Sequence, residues 1–136
     1  MSPRYPESML AELPWSFAEP LPASAIELLD ALTRYAERIG APISPRELLK
    51  VFPGEHVDLR YEVATPLADG QIRRKHQVVR VAAEGRPLTH VEILFELHRA
   101  AQRDLAHDAH HYFEGLFLLP DPYEVGVPAY DVFLGS

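Results

Sequence analysis

A capping box at Thr89 constrains the fold more than any other feature of this sequence. Thr89 can accept a hydrogen bond from a free amide of the first helical turn, and Glu92 can reach back to the cap. Pro87 keeps the helix from beginning earlier. After the cap, one arc at helical spacing collects Val91, Leu94, Leu97, His98, Ala101 and Leu105. We therefore expect a helix that crosses one face of a sheet and supplies much of the core.

Two further capping motifs predict two helices upstream of this one. Ser24 can cap a helix whose third residue, Glu27, completes a capping box, and Gly40 is well placed to end that helix. Ser44 gives the same signal, because a proline follows it at once and a glutamate stands three residues later. The second helix should be short, since a Pro-Gly pair at residues 53–54 ends it.

Alternation of apolar and polar residues predicts the strands. Residues 55–63 alternate with a period of two, and residues 71–83 follow after a connection of hairpin length. The second strand carries a basic Arg-Arg-Lys-His run, so we expect that half to lie at a sheet edge or beyond its buried area. Residues 110–119, which should be central, and 127–134 form two more strands. The order α-α-β-β-α-β-β predicts an α+β fold, with a four-stranded, mostly antiparallel sheet and helices packed on one face.

A proline-rich arm, residues 1–23, precedes a single α+β domain that we place at residues 24–136. Five prolines in the arm preclude a long helix or a central strand. Trp15 and Phe17 argue against plain disorder, because disordered tails rarely carry tryptophan. We expect both side chains to dock on the same domain. Docking on a second copy, which would make a homo-oligomer through the arm, is the alternative.

The composition excludes several classes of chemistry. There is no cysteine among the 136 residues, so disulfides, zinc–thiolate sites and thiol catalysis are excluded, and the cytoplasm is the expected compartment. The chain has neither a GxSxG nucleophile motif nor a glycine-rich phosphate loop, and nothing in it suggests a cofactor. No apolar run approaches the roughly 20 residues that span a membrane, so no membrane partner is expected.

The net charge of −7 is concentrated towards the C-terminal end, where residues 107–136 contain five acids and no lysine or arginine. We therefore expect a small, acidic, non-enzymatic protein-binding module with a basic protein partner, in the manner of immunity or antitoxin-type inhibitors. Nucleic acid is not the expected partner, because the one basic cluster lacks aromatic neighbours for stacking. The predicted contact residues are Asp121, Tyr123, Glu124, Tyr130 and Asp131.

The histidines support an alternative, a small His-dependent metal-binding protein or enzyme that uses the region from His90 to His111. Because His98 lies on the apolar arc, it could act as a general base at the floor of a pocket, and His90 could share that pocket. Beyond the helix, histidines three and four residues apart could converge on a metal ion together with a carboxylate. The predicted ligands are His107, His110, His111 and Asp108.

Overall fold

The computed structural model describes residues 5–106 and 108–135. Within these residues, no helix combines the length and the apolar character needed to cross a membrane. The described elements, labelled in chain order, are β1 (Ser8–Met9), β2 (Trp15–Ser16), α1 (Ala25–Ile39), α2 (Pro45–Leu48), β3 (Val51–Phe52), β4 (His56–Pro66), β5 (Ile72–Ala82), β6 (Leu88–Thr89), α3 (His90–Leu105), β7 (Tyr112–Leu118) and β8 (Ala129–Gly135).

Side-chain caps place the helix starts where the sequence predicts them. Ser24 accepts a hydrogen bond from the Glu27 N–H at the start of α1, and Gly40 ends that helix in the left-handed region, at a φ of 70°. At α3, Thr89 accepts from the Glu92 N–H and the Glu92 carboxylate accepts from the Thr89 N–H, which completes the capping box. The middle helix, α2, is a single turn of four residues.

The main sheet has six strands and is mixed. Its order is β1-β7-β8-β4-β5, and β2 also pairs with β7. Strands β4 and β8 run parallel, with Asp58 opposite Ala129 and Arg60 opposite Asp131, whereas the other pairs of this sheet are antiparallel. Strands β3 and β6 form a separate two-stranded sheet.

The predicted four-stranded sheet and the predicted element order are therefore wrong, although helices beside a mixed sheet agree with the α+β class. Strands β1, β2, β3 and β6 have two residues each, too few for a period of two to be recognised. The parallel pairing of β4 with β8 joins segments that are far apart in the chain, so no local pattern could indicate it.

Helix α3 and the inner face of β4 form the centre of the core. All six residues of the predicted apolar arc are buried, and Leu94 and Leu97 are fully enclosed. The same buried cluster contains Val57 and Leu59, which the alternation of β4 directs inwards. Each enclosed leucine stabilises the fold by roughly 2 kcal/mol relative to an exposed one. Helices α1 and α2 both contact α3, so α3 is the element on which the other helices pack.

The basic strand β5 lies at one edge of the main sheet, as predicted from its charges. Residues 72–78 of this strand are exposed, whereas Val81 near its end is buried. Exposed charges on an edge strand hinder pairing with a strand of another chain.

The proline-rich arm packs on its own chain, which confirms the docking expected from its aromatic residues. Trp15 lies opposite Phe113 of β7, and Trp15 and Phe17 are both buried in the core. Gly115 of β7 allows the close approach: a Cβ at this position would lie 2.8 Å from the Ala11 Cα, and its φ of 127° is rarely adopted by other residues. A homo-oligomer through the arm stays a prediction. It would have to use arm residues other than Trp15 and Phe17, because these two are buried in their own chain.

Replacing Phe17 with alanine should lower the free energy of unfolding by about 3–5 kcal/mol, because the substitution leaves a cavity in the core. Ile26→Ala is the matched control. Ile26 is 81% exposed on α1, so its truncation should change stability by less than about 0.5 kcal/mol. Urea unfolding followed by tryptophan fluorescence measures both variants, and equal midpoints would show that the arm is not part of the cooperative fold.

Candidate functional site

His98 forms a buried hydrogen bond that ties the arm to α3. The indole N–H of Trp15 donates to His98 Nδ1 at 3.1 Å. An accepting Nδ1 carries no proton, so the neutral ring holds its proton on Nε2. Phe17 meets the same ring edge-on, with ring centroids 5.3 Å apart, and the side chain is fully buried. Among the residues that the structure describes, none gives Nε2 a well-aligned hydrogen-bond partner, although the Glu19 backbone is close enough to act on the ring.

Burial lowers the pKa of His98 to about 4, because the charged imidazolium is disfavoured away from water. The backbone and the charge of Glu19 act in the opposite direction and are outweighed. The inward orientation predicted from the apolar arc is confirmed. The ring contacts Trp15 and Phe17, however, and not an open pocket of the kind that a general base would need.

The stability of the protein should fall as the pH is lowered from about 6.5 to about 4. The unfolded chain takes up the His98 proton near a pKa of about 6.5, whereas the folded chain takes it up only near about 4. Neutral His98 therefore contributes roughly 3 kcal/mol to stability above about pH 6.5. This contribution is lost as the pH falls to about 4.

His98→Gln should remove this part of the acid sensitivity, because glutamine can still accept from Trp15 but does not titrate. His56→Gln is the control, since His56 is exposed. Urea midpoints measured across the pH range compare the two variants with the wild type. An unchanged pH profile in His98→Gln would contradict a buried, neutral His98.

His90 occupies the first position of α3 and borders a groove of about 1200 Å³. The backbone N–H of His90 donates to the Lys50 carbonyl at 2.9 Å, which fixes His90 beside the segment that follows α2. The residue is only 5% exposed, yet its Nδ1 has no hydrogen-bond partner within residues 5–106 and 108–135. Nδ1 is closed to solvent, so its missing hydrogen bond is a cost within the fold, while the residue as a whole borders the groove.

Two irregular segments form the walls of this groove, the arm at residues 5–13 and the connection through α2 and β3. Tyr5 stacks on Phe52, with ring centroids 5.6 Å apart. The Tyr130 hydroxyl donates to the Pro6 carbonyl. Strand β1 also pairs with β7. These contacts hold the arm in place, so the groove is part of the folded structure.

The groove has an apolar lining and an acidic rim. Its buried apolar side chains include Met9, Leu13 and Leu48. Its charged rim residues are Glu7, Glu12, Glu47 and Lys50. The ammonium of Lys50 lies 3.7 Å from the Glu47 carboxylate, and both side chains are mostly exposed. The groove therefore favours a ligand that is apolar in part and positively charged in part.

Leu10 adds backbone strain to the arm wall. Its φ of 57° lies in the left-handed region, which costs a residue with a Cβ roughly 1–2 kcal/mol. Strained residues of this kind are concentrated at binding and active sites. The strain therefore agrees with a binding role for the groove.

Burial and the nearby Lys50 lower the pKa of His90, and Glu47 opposes them with a smaller effect. The ring is therefore neutral at neutral pH. His90 lines the groove, whereas His98 is enclosed by Trp15 and Phe17. The two histidines therefore do not share the pocket predicted for them.

The predicted acidic surface at the C-terminal end is largely paired with arginines of β4 and β5. Asp131 accepts from Arg60 Nε at 3.0 Å, and Glu124 lies 2.7 Å from Arg80 Nη1. Arg80 also donates to both oxygens of the buried Asp58, at 2.8 and 3.0 Å. The acidic surface was predicted from the charges of residues 107–136 alone. That count does not include these arginines, because they lie on strands earlier in the chain.

Tyr130 does not lie on the surface, which corrects its predicted placement among the contact residues. It is fully buried, because the alternation of β8 directs its side chain into the core. Tyr123 and Asp121 are exposed, as a contact residue must be.

Arg80→Gln should lower the free energy of unfolding by more than Glu124→Gln does, because it leaves the buried Asp58 carboxylate without its charged partner. Glu124→Gln is the control, since it removes an exposed contact of the same arginine and should cost less than about 1 kcal/mol. Urea unfolding near neutral pH measures both. A cost for Arg80→Gln no larger than that for Glu124→Gln would mean that water reaches Asp58.

The predicted metal site includes His107, which lies outside the described residues. Within residues 5–106 and 108–135, no three histidine or carboxylate side chains are grouped closely enough to hold a metal ion. The metal alternative therefore stays a prediction that depends on His107.

The other predicted metal ligands take part in the fold. Asp108 accepts hydrogen bonds from the backbone N–H groups of Ala64, at 3.1 Å, and His110, at 2.9 Å. It thereby links the connection between α3 and β7 to β4. Nδ1 of His111 and the hydroxyl of Ser16 hydrogen-bond each other at 2.8 Å, which adds a contact between the arm and the sheet.

The groove is the feature that the sequence reasoning missed. Its walls come from two segments without periodicity, and the acids of its rim are scattered along the chain. Two signals pointed towards it: the aromatic residues of the arm, which required the arm to fold back, and a histidine at the start of the helix.

No protein-family model matches the chain, and no curated protein or solved structure is significantly similar to it.

Proposed function

We propose that the protein is a small, non-enzymatic protein-binding module that holds a basic, partly apolar segment of a partner protein in the groove beside His90. The groove supports this proposal, because it offers about 1200 Å³ between two walls that the fold holds in place. Immunity and antitoxin-type inhibitors are the class that this activity would fit, by analogy of size and charge. The lack of cysteine suits the cytoplasm as the place of action.

The shape of the groove favours a stretch of polypeptide over a small molecule. Sites for drug-sized ligands are typically about 300–1000 Å³ and enclose most of the ligand. This groove is larger, and residues 5–13 of the arm line it. Strand β1 in the arm wall ends the main sheet on that side, and an edge strand has backbone groups with which an extended segment can pair.

The charge of the groove favours a basic segment. Three carboxylates and one lysine stand at the rim, and the whole chain carries a net charge of −7. Opposite charges speed the association of two proteins, and the gain shrinks as salt screens them over about 8–10 Å. The apolar lining would supply most of the binding affinity.

The contact residues predicted from the sequence are less suited to be the main site. Asp131 and Glu124 already pair with arginines, and Tyr130 is buried. Asp121 and Tyr123 remain exposed and are proposed as a secondary contact.

The histidine-dependent alternative keeps one supporting observation, because a neutral His90 lines the groove. His98 gives it no support, since its Nδ1 is occupied by the Trp15 indole N–H. We therefore assign His90 to ligand binding.

An arginine side chain introduced into the groove lining should weaken the binding of a basic segment. Selection from a displayed library of random peptides should enrich apolar sequences flanked by lysine or arginine. Val51 is 54% exposed and lines the groove, whereas Val125 is 96% exposed and is not part of its lining. Val51→Arg should weaken the binding of an enriched peptide by at least about tenfold through bulk and charge, and Val125→Arg should leave it unchanged. Fluorescence polarisation measures both.

Two outcomes would contradict the groove as the binding site. One is enrichment of acidic peptides, and the other is equal binding to Val51→Arg and wild type. If Asp121→Lys with Glu124→Lys then abolished binding while Val51→Arg did not, the site would lie at the C-terminal end instead.

A further inference from the structure

We propose that the bound segment is extended and adds a strand to the free edge of β1, where the backbone of Ser8 pairs with it. This inference deepens the proposed function and rests on it, because it names the conformation of the segment that the groove holds. The N–H of Ser8 would donate to a carbonyl of the segment, and the C=O of Ser8 would accept from one of its N–H groups.

The pairing of β1 with β7 turns the backbone of Ser8 away from the sheet. In an antiparallel ladder, successive residues point their N–H and C=O groups alternately towards the partner strand and away from it. The Glu7 carbonyl accepts from the Leu118 N–H at 2.9 Å, so Glu7 faces β7. Ser8 is the next residue and lies opposite Phe117, so its two backbone groups face the free edge.

The free edge of β1 borders the groove and is held in place by the rest of the fold. Ser8 is exposed and lines the groove. On one side of it the Tyr130 hydroxyl donates to the Pro6 carbonyl, and on the other side the Leu13 N–H donates to the Leu10 carbonyl at 3.2 Å. Because these contacts already fix the chain around Ser8, a binding segment would spend little free energy on ordering β1.

Charge favours β1 over the opposite edge of the main sheet as the place where a basic segment pairs. Strand β5 forms that opposite edge, and its exposed Arg73 and Lys75 would repel lysine or arginine side chains. On the β1 side, Glu7 is exposed next to Ser8, and Glu12 is exposed farther along the same wall of the groove. A basic segment is therefore attracted to the edge where Ser8 lies.

The groove also has room for the side chains of an added strand. Successive side chains of a strand point to opposite faces, so every second residue of the segment would lie against the apolar lining at Leu13, Leu48 and Val51. The residues between them would point away from the lining, where lysine or arginine can stay hydrated. The segment should therefore alternate apolar and basic residues. A bound helix would instead need apolar residues three and four positions apart, and its backbone groups, bonded within the helix, could not pair with Ser8.

Two octapeptides of the same composition, four leucines and four lysines, test the conformation of the segment. One alternates Leu and Lys, and the other repeats Leu-Lys-Lys-Leu, which gives the leucines helical spacing. Titration calorimetry with the full chain near neutral pH and at low salt compares them. The alternating peptide should bind at least about tenfold more tightly, because only an added strand gains the hydrogen bonds to Ser8. Equal or tighter binding of the Leu-Lys-Lys-Leu peptide, or no binding of either, would overturn the added strand.

N-methylation of the alternating peptide tests the backbone pairing on the wild-type protein. The N–H groups of an added strand point alternately towards β1 and away from it. Methylating every second amide should therefore weaken binding about tenfold for one set of positions and should have little effect for the other set. Each set serves as the control for the other. A loss from neither set, or equal losses from both, would overturn pairing with a single free edge.

Ser8→Pro removes the N–H that the segment would use, whereas Ser8→Ala removes only the hydroxyl. Ser8→Pro should weaken binding of the alternating peptide about fivefold or more, and Ser8→Ala should weaken it much less. The fold should tolerate the proline, because this N–H faces away from β7 and proline occurs on sheet edges. Urea midpoints check both variants. Wild-type affinity in folded Ser8→Pro would overturn the role of Ser8, and if this variant does not fold, the methylated peptides decide.

Val51→Arg distinguishes failure of this inference from failure of the proposed function. If the library peptides lose binding to Val51→Arg but the two methylated sets bind alike, the groove holds a partner in another conformation and only the added strand is wrong. If the library peptides bind Val51→Arg as well as wild type, the proposed function is wrong whatever the octapeptides do.

Discussion

The hydrogen bond from the Trp15 indole to His98 Nδ1 joins the proline-rich arm to the central helix α3. Strands β1 and β2 have two residues each, and ladders of that length would not hold an arm in place by themselves. Burial of Trp15 and Phe17 around the imidazole supplies the missing free energy. Because the arm is also one wall of the groove, the shape of the proposed binding site depends on this contact in the core.

Two buried histidines each leave one ring nitrogen unbonded among the described residues, and neither atom is open to a ligand. His98 Nε2 is enclosed in the core, where the Glu19 backbone partly compensates for the lack of a well-aligned hydrogen bond. His90 Nδ1 is also closed to solvent, although the residue lines the groove. An unbonded nitrogen marks a binding atom only where a ligand can reach it.

Local signals predicted the parts of the fold that depend on neighbours in the chain. The caps at Ser24 and Thr89 located α1 and α3, and the alternation of residues 55–63 located β4 and its buried face. The same alternation directed Asp58 to the solvent side, where it is nevertheless buried, because Arg80 of β5 bridges it to the loop that carries Glu124. Contacts of this kind, like the walls of the groove, join distant segments and leave no periodic trace in the sequence.

The position of β8 in the sheet has a consequence for how the protein is made. Strand β8 lies between β7 and β4, yet it follows both of them in the chain. Until a ribosome has released residues 129–135, β4 and β7 cannot be joined, and each keeps an unpaired edge. At about 5–20 residues per second, translation leaves the β4–β5 hairpin in this state for several seconds. During that interval the basic run on β5 hinders pairing at the other edge of the hairpin, so the β4 edge is the one left open.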